Sequence, residues 1–331
     1  MLDAGTGSSV GVRAVAFHPD GKHILGGSSG IRQWQLQDGQ EVGTQMGKTG
    51  LAYAISVSSD CKWIVCATGD PGPDRTSVWD AEMQEKVIDV EDGNRVVAVD
   101  VSPDSTTFAT GTEGEASIWD LASGERLVGP LKHDGYTLVT AVRFSPNGDR
   151  LATAYPENLI CIFDSRTGDE LITIKTAIIS IFPSTPLAWS NDGRQIFAAS
   201  NDNKIKLFDA LTGSQLAESQ SLDGGVIDSI ALAANDKFIA TFAGRIISFL
   251  DTSTHSQIDP VIEDSNDIWA IAISPDNGYL ATGLTSGKIA IHDLGGILPD
   301  SYGPFHVSIC PSTMLTCCSK PHPISHVDAL C

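Results

Sequence analysis

The amino-acid sequence repeats one pattern seven times with a period of about 42 residues, and such a period limits the chain to a small set of folds. In every repeat an aromatic or apolar residue, or His in the last one, is followed by Asp or Gln. The seven pairs are Trp34-Gln35, Trp79-Asp80, Trp119-Asp120, Phe163-Asp164, Phe208-Asp209, Leu250-Asp251 and His292-Asp293. Their successive spacings are 45, 40, 44, 45, 42 and 42 residues. The chain therefore uses one structural unit seven times.

Two turns divide each repeat into short strands. The turn before the pair is clearest in Ser102-Pro103-Asp104-Ser105 and Ser145-Pro146-Asn147-Gly148, and the turn after it in Ser123-Gly124 and Thr167-Gly168. Proline presets φ at the second turn position, Asp or Asn suits the third, and Gly accepts a positive φ. Four strands per repeat follow from this punctuation.

A single four-stranded unit cannot bury both faces of its sheet, so neighbouring units must stack. Radial closure is the arrangement that leaves few unpaired edges. The sequence therefore predicts an all-β fold, a seven-bladed β-propeller of four-stranded antiparallel blades over residues 10–309. Residues 1–9 are predicted to be an N-terminal extension and residues 310–331 a disordered tail rich in Cys and Pro. An open solenoid is the alternative, but solenoids that use strands usually have shorter periods.

Two stretches carry a resemblance to a known family. FSPNGDRLATAYPENLICIFDSRTG (Phe144–Gly168) and VSPDSTTFATGTEGEASIWDLASG (Val101–Gly124) resemble the repeats of WD-repeat β-propellers, and the resemblance extends over roughly residues 10–300. The repeats are also similar in style to those of WD-repeat proteins of basidiomycete fungi. Some of those proteins form the sensor end of NTPase-containing signalling proteins. The resemblance implies a binding role.

In the resembled family, a buried set of His, Ser or Thr, Asp and Trp locks each blade through hydrogen bonds. With blades numbered in chain order, only blade four comes near this set, with His133, Thr153, Glu157 and Phe163. Phe has no indole N–H to donate, and blade seven has His292 where Trp is expected. Most blades should therefore depend on apolar stacking, and we predict modest stability.

Closure of the ring is the second departure from the family. Its members commonly complete the last blade with a strand from the N-terminus, but only about nine residues precede the first strand here. Residues 301–306 resemble residues 127–133, the fourth strand of blade three. We therefore expect residues 302–309 to supply the last strand, without an N-terminal one.

The chain is strongly acidic, with 41 Asp and Glu against 21 Lys and Arg and a formal net charge of -20. Such a field repels phosphate backbones and anionic lipids, so we expect neither nucleic acid nor a membrane as partner. Two acidic clusters between repeats favour a basic protein partner, although solvated loops are the simpler interpretation. The clusters are Asp89, Glu91 and Asp92, and Asp259, Glu263, Asp264 and Asp267.

Targeting signals are not apparent in the sequence. Met1-Leu2-Asp3-Ala4-Gly5 shows no basic segment before an apolar stretch, and the apolar run at residues 176–189 is too short to span a bilayer. The chain has seven cysteines, an odd number, and those inside strand-like segments are typical of buried thiols. We therefore expect a cytoplasmic protein.

Motifs for catalysis or cofactor binding are missing as well. The sequence contains no GxxxxGK[ST] loop, and we expect none of its eight histidines to form a metal-ligand pair inside the repeats. We therefore expect no enzyme activity, no cofactor and no metal. The tail could supply zinc ligands, but its prolines and its lack of a CxxC pattern favour disorder. Those Cys and His residues are His306, Cys310, Cys317, Cys318, His322, His326 and Cys331.

One variable position in the first strand of each repeat is the best candidate for partner binding. Aligned by repeat, its residues are Arg13, Tyr53, Val97, Thr140, Thr185, Asp228 and Trp269. In the resembled family this position lies near the rim of the central opening. Trp, Tyr and Arg are enriched at interface hot spots. The candidate partner-binding residues are Arg13, Tyr53, Thr140, Asp228 and Trp269, and packing between blades is the alternative for Tyr53 and Trp269.

We therefore expect a non-catalytic scaffold or sensor module that binds a protein or peptide through one face of the propeller. A propeller-fold enzyme of the quinoprotein or lactonase kind is the first alternative, because such enzymes share the fold class. A sensor fragment of a larger NTPase signalling protein is the second.

Overall fold

The computed structural model describes residues 1–3, 10–47, 50–69, 75–133, 135, 138–156, 159–176 and 186–302. These residues form 27 β-strands and one short 3₁₀ helix, Leu294–Gly296. No helix in this part of the chain has the length and apolar character needed to cross a membrane.

The strands are short, between two and seven residues each. In chain order they are β1 (Leu2–Asp3), β2 (Ala14–Phe17), β3 (His23–Ser28), β4 (Gly30–Gln35), β5 (Leu51–Val57), β6 (Trp63–Gly69), β7 (Arg75–Asp80), β8 (Lys86–Val90), β9 (Val96–Val101), β10 (Thr107–Thr112), β11 (Ala116–Asp120), β12 (Arg126–Leu131), β13 (Ala141–Phe144), β14 (Arg150–Tyr155), β15 (Leu159–Asp164), β16 (Glu170–Lys175), β17 (Leu187–Trp189), β18 (Gln195–Ala199), β19 (Ile205–Asp209), β20 (Gln215–Glu218), β21 (Ser229–Leu232), β22 (Phe238–Ala243), β23 (Ile246–Asp251), β24 (Gln257–Glu263), β25 (Ile268–Ile273), β26 (Tyr279–Leu284) and β27 (Lys288–Asp293).

The strands form seven antiparallel sheets, which are the seven blades. Blade one contains β2 to β4, and each later blade begins with the next innermost strand, namely β5, β9, β13, β17, β21 or β25. Each innermost strand contacts the next one, and β25 contacts β2, so the ring closes. The predicted seven-bladed β-propeller is therefore confirmed.

The last blade closes differently from the expectation. The N-terminal strand β1 pairs with β27, with Leu2 opposite Ile289 and Asp3 opposite Lys288. The expectation that the chain closes without an N-terminal strand is therefore wrong, because two residues of the supposed extension pair with Lys288 and Ile289 of β27. Of the expected closing segment, residues 303–309 lie outside the described residues, and Tyr302 packs against Phe238 of blade six.

Blade one is the irregular blade. Its sheet has three strands, and isolated bridges join Ile31 to Met46 and Trp34 to Glu41 where a fourth strand would lie. Gln84 of blade two stabilises this segment, because its side chain accepts the Thr44 N–H at 2.8 Å and donates to the Val42 carbonyl at 3.0 Å.

Apolar side chains fill every interface between neighbouring blades. Seven clusters of buried residues occur in the described chain, and each joins two adjacent blades. In one of them Val65 and Val78 of blade two pack with Val99, Phe108 and Trp119 of blade three. Full burial of one such side chain contributes about 1.5–3 kcal/mol, so stacking between blades is a large part of what holds the ring together.

The repeated Asp has a local structural role at the turn after its strand. The Oδ1 atom of Asp120 accepts the N–H groups of Ala122 at 3.1 Å and Ser123 at 2.7 Å, and Gly124 follows with a φ of 72°. These hydrogen bonds, first of all the one from Ser123, hold the pKa of Asp120 below its ordinary value. In the six repeats that have Asp, the pair is therefore a strand end followed by a turn that the Asp side chain caps.

The polar set that locks a blade is built in blade three, not in blade four. The indole N–H of Trp119 donates to the Thr110 hydroxyl at 2.9 Å, and this hydroxyl donates to Asp92 at 3.2 Å. Asp92 lies in the loop between β8 and β9, so it reaches the set from outside the sheet. The sequence prediction was wrong because it expected a His in the loop ahead of the blade, where Asp92 is the polar partner.

Blades four and seven also differ from the expected set. In blade four, His133 lies 2.9 Å from Glu170 and the Thr153 hydroxyl donates to the backbone of β15, whereas Glu157 lies outside the described residues. In blade seven, Thr282 donates to Asp264 at 2.7 Å, and His292 Nε2 lies 3.3 Å from the same carboxylate. His292 therefore takes the place of Trp as a polar partner.

Candidate functional site at the channel mouth

The innermost strands surround a central channel, and the candidate residues lie at one of its two ends. Arg13 lies just before β2, Tyr53 lies in β5 and Trp269 in β25, and all three line this end, which we call the channel mouth. The opposite end has the wider hollow, about 440 Å³, but its aromatic side chains are buried. At the mouth, Trp269 is 38% exposed.

Arg13 stacks on aromatic rings from both neighbouring blades. Its guanidinium carbon lies 4.5 Å from the ring centroid of Trp269 and 5.6 Å from that of Tyr53. Such cation–π contacts contribute about 0.5–1 kcal/mol each at exposed sites. The three residues belong to blades seven, one and two, so ring closure brings them together as the sequence predicted.

Arg95 is a fourth member of the cluster that sequence reasoning missed. It lies in the loop before β9, and its guanidinium carbon is 4.7 Å from the ring centroid of Tyr53. Tyr53 is therefore in contact with two guanidinium groups and is only 5% exposed. The aligned position in this blade is Val97, two residues later, so comparing single positions could not find Arg95.

Gly11 is the second residue that was missed, and it determines where the indole ring lies. A Cβ atom at this position would be 2.4 Å from Cζ3 and 2.7 Å from Cε3 of Trp269. The ring can therefore lie against the backbone of Gly11 while Arg13 stacks on it. Of the two aromatic candidates, Tyr53 is a packing residue and Trp269 presents surface to solvent.

Thr140 and Asp228 are not part of this cluster. Thr140 is 1% exposed, and its hydroxyl donates to the Ala154 carbonyl at 3.2 Å. Asp228 is partly exposed, and burial raises the pKa of its carboxyl against a hydrogen bond from the Gly244 N–H. Thr185, at the aligned position of blade five, lies outside the described residues. The structure therefore brings together three of the five candidate residues at the channel mouth.

Unsatisfied hydrogen-bonding capacity remains at the mouth. The Nε atom of Arg13 is buried and has no hydrogen-bond acceptor among the described residues. Arg143, deeper in the channel, differs because it pairs with Asp100 at 3.0 Å. A buried N–H without an acceptor is costly, so this Nε–H is a polar group that the described residues leave unsatisfied. The mouth thus offers an aromatic face and N–H donors, which are groups for binding.

The acidic clusters between repeats are largely used within the protein. Asp89 accepts hydrogen bonds from Ser77 and Lys86, each at 2.5 Å. Asp92 and Asp264 belong to the polar sets of blades three and seven. These contacts leave less free acidic surface for a basic partner than the sequence suggested.

Comparison with known proteins fits this architecture. The WD40 family model, described as WD domain, G-beta repeat, matches residues 4–35, 85–120, 126–164, 187–209 and 259–293. The crystal structure of the Cps50 (Swd1) β-propeller domain of Myceliophteria thermophila is similar with a TM-score of 0.73 and 18% identity. That similarity covers 86% of this chain and 97% of the other, and at this identity it shows the fold alone.

A sequence relative extends the comparison over half of the chain. Autophagy-related protein 16 of Arabidopsis thaliana is 28% identical over 166 residues, which are 49% of this chain and 31% of that protein. This chain thus matches less than a third of the relative's length. The fungal style of the sequence stays a prediction. The five matched stretches and the seven-bladed fold together support the assignment of this chain to the WD-repeat family.

Proposed function

We propose that this protein is a non-catalytic scaffold or sensor module that binds a protein or peptide at the channel mouth. The observation that carries the proposal is the cluster in which the partly exposed Trp269 lies between Gly11 and Arg13. WD40 propellers generally bind proteins, which agrees with this role. The cytoplasmic location inferred from the sequence is part of the same proposal.

The chemistry of the mouth also defines the kind of group that it would accept. Arg13 places a positively charged guanidinium group at the mouth, and the partly exposed ring of Trp269 offers an apolar face beside it. A peptide segment with an aliphatic or aromatic side chain next to a carboxylate satisfies both. We therefore favour an acidic group at the mouth over the basic partner inferred from the acidic clusters.

A capture experiment with matched variants tests this proposal. The wild-type chain, Trp269→Ala and Leu211→Ala would be immobilised, and the proteins retained from the native cells identified by mass spectrometry. Leu211 is a suitable control because it is another exposed large apolar residue, in a turn of blade five. We expect Leu211→Ala to retain the wild-type partners and Trp269→Ala to lose them.

The role of the guanidinium group can then be tested with the partner in hand. Lys keeps the charge of Arg13 but lacks its planar fork of donors, so Arg13→Lys should weaken binding about tenfold or more. Unchanged capture by Trp269→Ala, with its fold verified by circular dichroism, would remove the channel mouth as the binding surface.

A further inference from the structure

The turn between β2 and β3 differs from the same turn in five other blades. In those blades the turn begins with a serine that donates to an Asp or Asn two residues later and accepts the N–H five residues later. The five serines are Ser58, Ser102, Ser145, Ser190 and Ser274. In blade one the serine position is His18, and the position five residues later is also a histidine, His23.

Both imidazoles converge on one carboxylate oxygen. The distances from Oδ2 of Asp20 are 3.1 Å to Nδ1 of His18 and 2.6 Å to Nδ1 of His23. All three atoms lie within 4.8 Å of one another. The three side chains are 9%, 25% and 27% exposed for His18, His23 and Asp20, so the cluster is reachable from solvent. Four residues separate His18 from His23, which is a spacing that zinc sites use, so the expectation of no such pair inside the repeats is wrong.

The second oxygen of Asp20 is fixed by the turn itself. Its Oδ1 atom accepts the N–H groups of Lys22 at 2.7 Å and His23 at 3.2 Å, which leaves Oδ2 facing the imidazoles. The turn thus orients the Asp20 carboxylate toward the two imidazoles, and the ionised carboxylate is the form that binds a metal ion.

We propose that His18, Asp20 and His23 bind a late first-row divalent metal ion, with Zn²⁺ the best match, through two Nδ1 atoms and Oδ2. Two imidazoles and a carboxylate are a common donor set for such ions, with water completing a tetrahedron. With bonds of about 2.0–2.1 Å, ligand atoms around Zn²⁺ lie about 3.3 Å apart. The His18 and Asp20 atoms already have nearly this separation, and a small rotation of the partly exposed His23 lengthens the 2.6 Å distance. The ion would also replace the long hydrogen bond, 3.4 Å, that His18 Nδ1 accepts from the Asp20 N–H.

This site is separate from the channel mouth. Arg13 lies at one end of β2 and His18 at the other, and five residues of extended chain span about 16 Å. A result for the metal site therefore has no bearing on whether the mouth binds a protein.

The other blades supply the variants for a test. His18→Ser introduces the serine that five other blades have at this position. His23→Thr introduces the residue that blade three has there, Thr107, so both variants should fold. His255→Gln is the matched control, because it removes an imidazole from a turn of blade six. Zn²⁺ would be titrated into each full-length chain by calorimetry, and Co²⁺ followed by its visible absorption.

We expect the wild type and His255→Gln to bind one more Zn²⁺ than His18→Ser or His23→Thr, or to bind it at least about 100-fold more tightly. Zn²⁺ should also raise the unfolding midpoint of the first pair of chains alone. Metal held by the Cys and His residues at positions 306–331 gives the same signal in all four chains, and thiolate bands of Co²⁺ identify it. Equal Zn²⁺ binding by all four chains, or none by the wild type, overturns the proposal and leaves a hydrogen-bonded His–Asp cluster.

Discussion

The indole ring of Trp269 lies where it does because position 11 has no side chain. Residues of this kind are invisible to a comparison of aligned positions, since Gly11 carries no group that could itself contact a partner. The aromatic candidates and Arg13 could be predicted because ring closure makes neighbours of blades seven, one and two. Gly11, Arg95 and the convergence of His18 with His23 could not, because they depend on loop geometry.

Gly11→Ala should displace the ring of Trp269. The added Cβ would lie 2.4 Å from the ring, so the indole must move and the stack with Arg13 is lost. We expect an altered tryptophan fluorescence spectrum, a loss of about 1–3 kcal/mol in the free energy of unfolding, and weaker partner capture. Gly296→Ala is the control, because a Cβ there meets no atom within 4 Å. A Gly11→Ala chain with wild-type fluorescence would contradict the packing described here.

Asp92 and Asp264 occupy similar polar sets but differ in charge environment. Burial raises the pKa of Asp92 to about 6, against hydrogen bonds from Thr110 and Thr76. Burial also acts to raise the pKa of Asp264, but hydrogen bonds from His292 and Thr282 bring it below the ordinary value. Asp264 also accepts the Ser265 N–H at 2.7 Å, and the imidazole of His292 lies beside it where blade three has Trp119.

The two carboxylates should therefore contribute to stability with opposite dependence on pH. Between about pH 4 and 6 the folded state holds a proton on Asp92 that the unfolded chain releases, so its contribution is full below pH 4 and lost as pH rises through 6. Asp92→Asn should raise the free energy of unfolding by on the order of 2 kcal/mol at pH 7.5, with the gain vanishing near pH 4. Asp264→Asn should instead lose stability at pH 7.5 and approach the wild type in acid. Denaturant unfolding at a series of pH values measures both, and the same sign for both variants would refute this account.

At the scale of secondary-structure elements, the turns were the reliable signal in the sequence. The Ser-Pro-Asp and Asp-x-x-x-Gly turns place the strand ends because their side chains satisfy backbone N–H groups locally. The closing strand β1 escaped prediction because two residues, Leu2 and Asp3, are too few to show alternation. The polar set of blade three escaped because Asp92 enters it from a loop.

Leu2→Asp should weaken the closure of blade seven. Leu2 packs against the buried cluster between blades one and seven, whereas the neighbouring Met1 is exposed. A charge placed there is poorly solvated, so we expect the free energy of unfolding to fall by about 1–3 kcal/mol, while Met1→Asp leaves it unchanged. Thermal unfolding followed by circular dichroism measures the difference. Equal midpoints for the two variants would show that β1 does not hold the ring closed.

The molecule as a whole is a closed ring in which every blade depends on its two neighbours. Seven apolar clusters join the blades, and the polar sets differ from blade to blade among the described residues. The fold class could be predicted from the sequence because no single repeat can bury both of its faces. The candidate binding surface at the channel mouth could not be predicted as fully, since it combines residues from four blades.

We expect the thermal stability of the whole propeller to be in the range usual for mesophilic domains. Among the described residues, such polar sets were found in blades three and seven. The net charge of -20 adds electrostatic repulsion within the folded protein. We expect a thermal midpoint of about 45–65 °C near neutral pH and low salt, rising as salt is added. Differential scanning calorimetry over a range of salt concentrations measures both. A midpoint above about 90 °C would mean that the apolar interfaces alone suffice for hyperstability.

The two-residue pairing of β1 with β27 also has a consequence for the behaviour of the protein at high concentration. If residues 1–3 are removed or masked by a fusion, β27 also loses its pairing at Lys288 and Ile289, and unpaired sheet edges recruit strands from other molecules. Preparations altered at this end should therefore form dimers and larger species as they are concentrated, which light scattering would detect. We therefore expect residues 1–3 to limit self-association of the protein, in addition to forming part of the last blade.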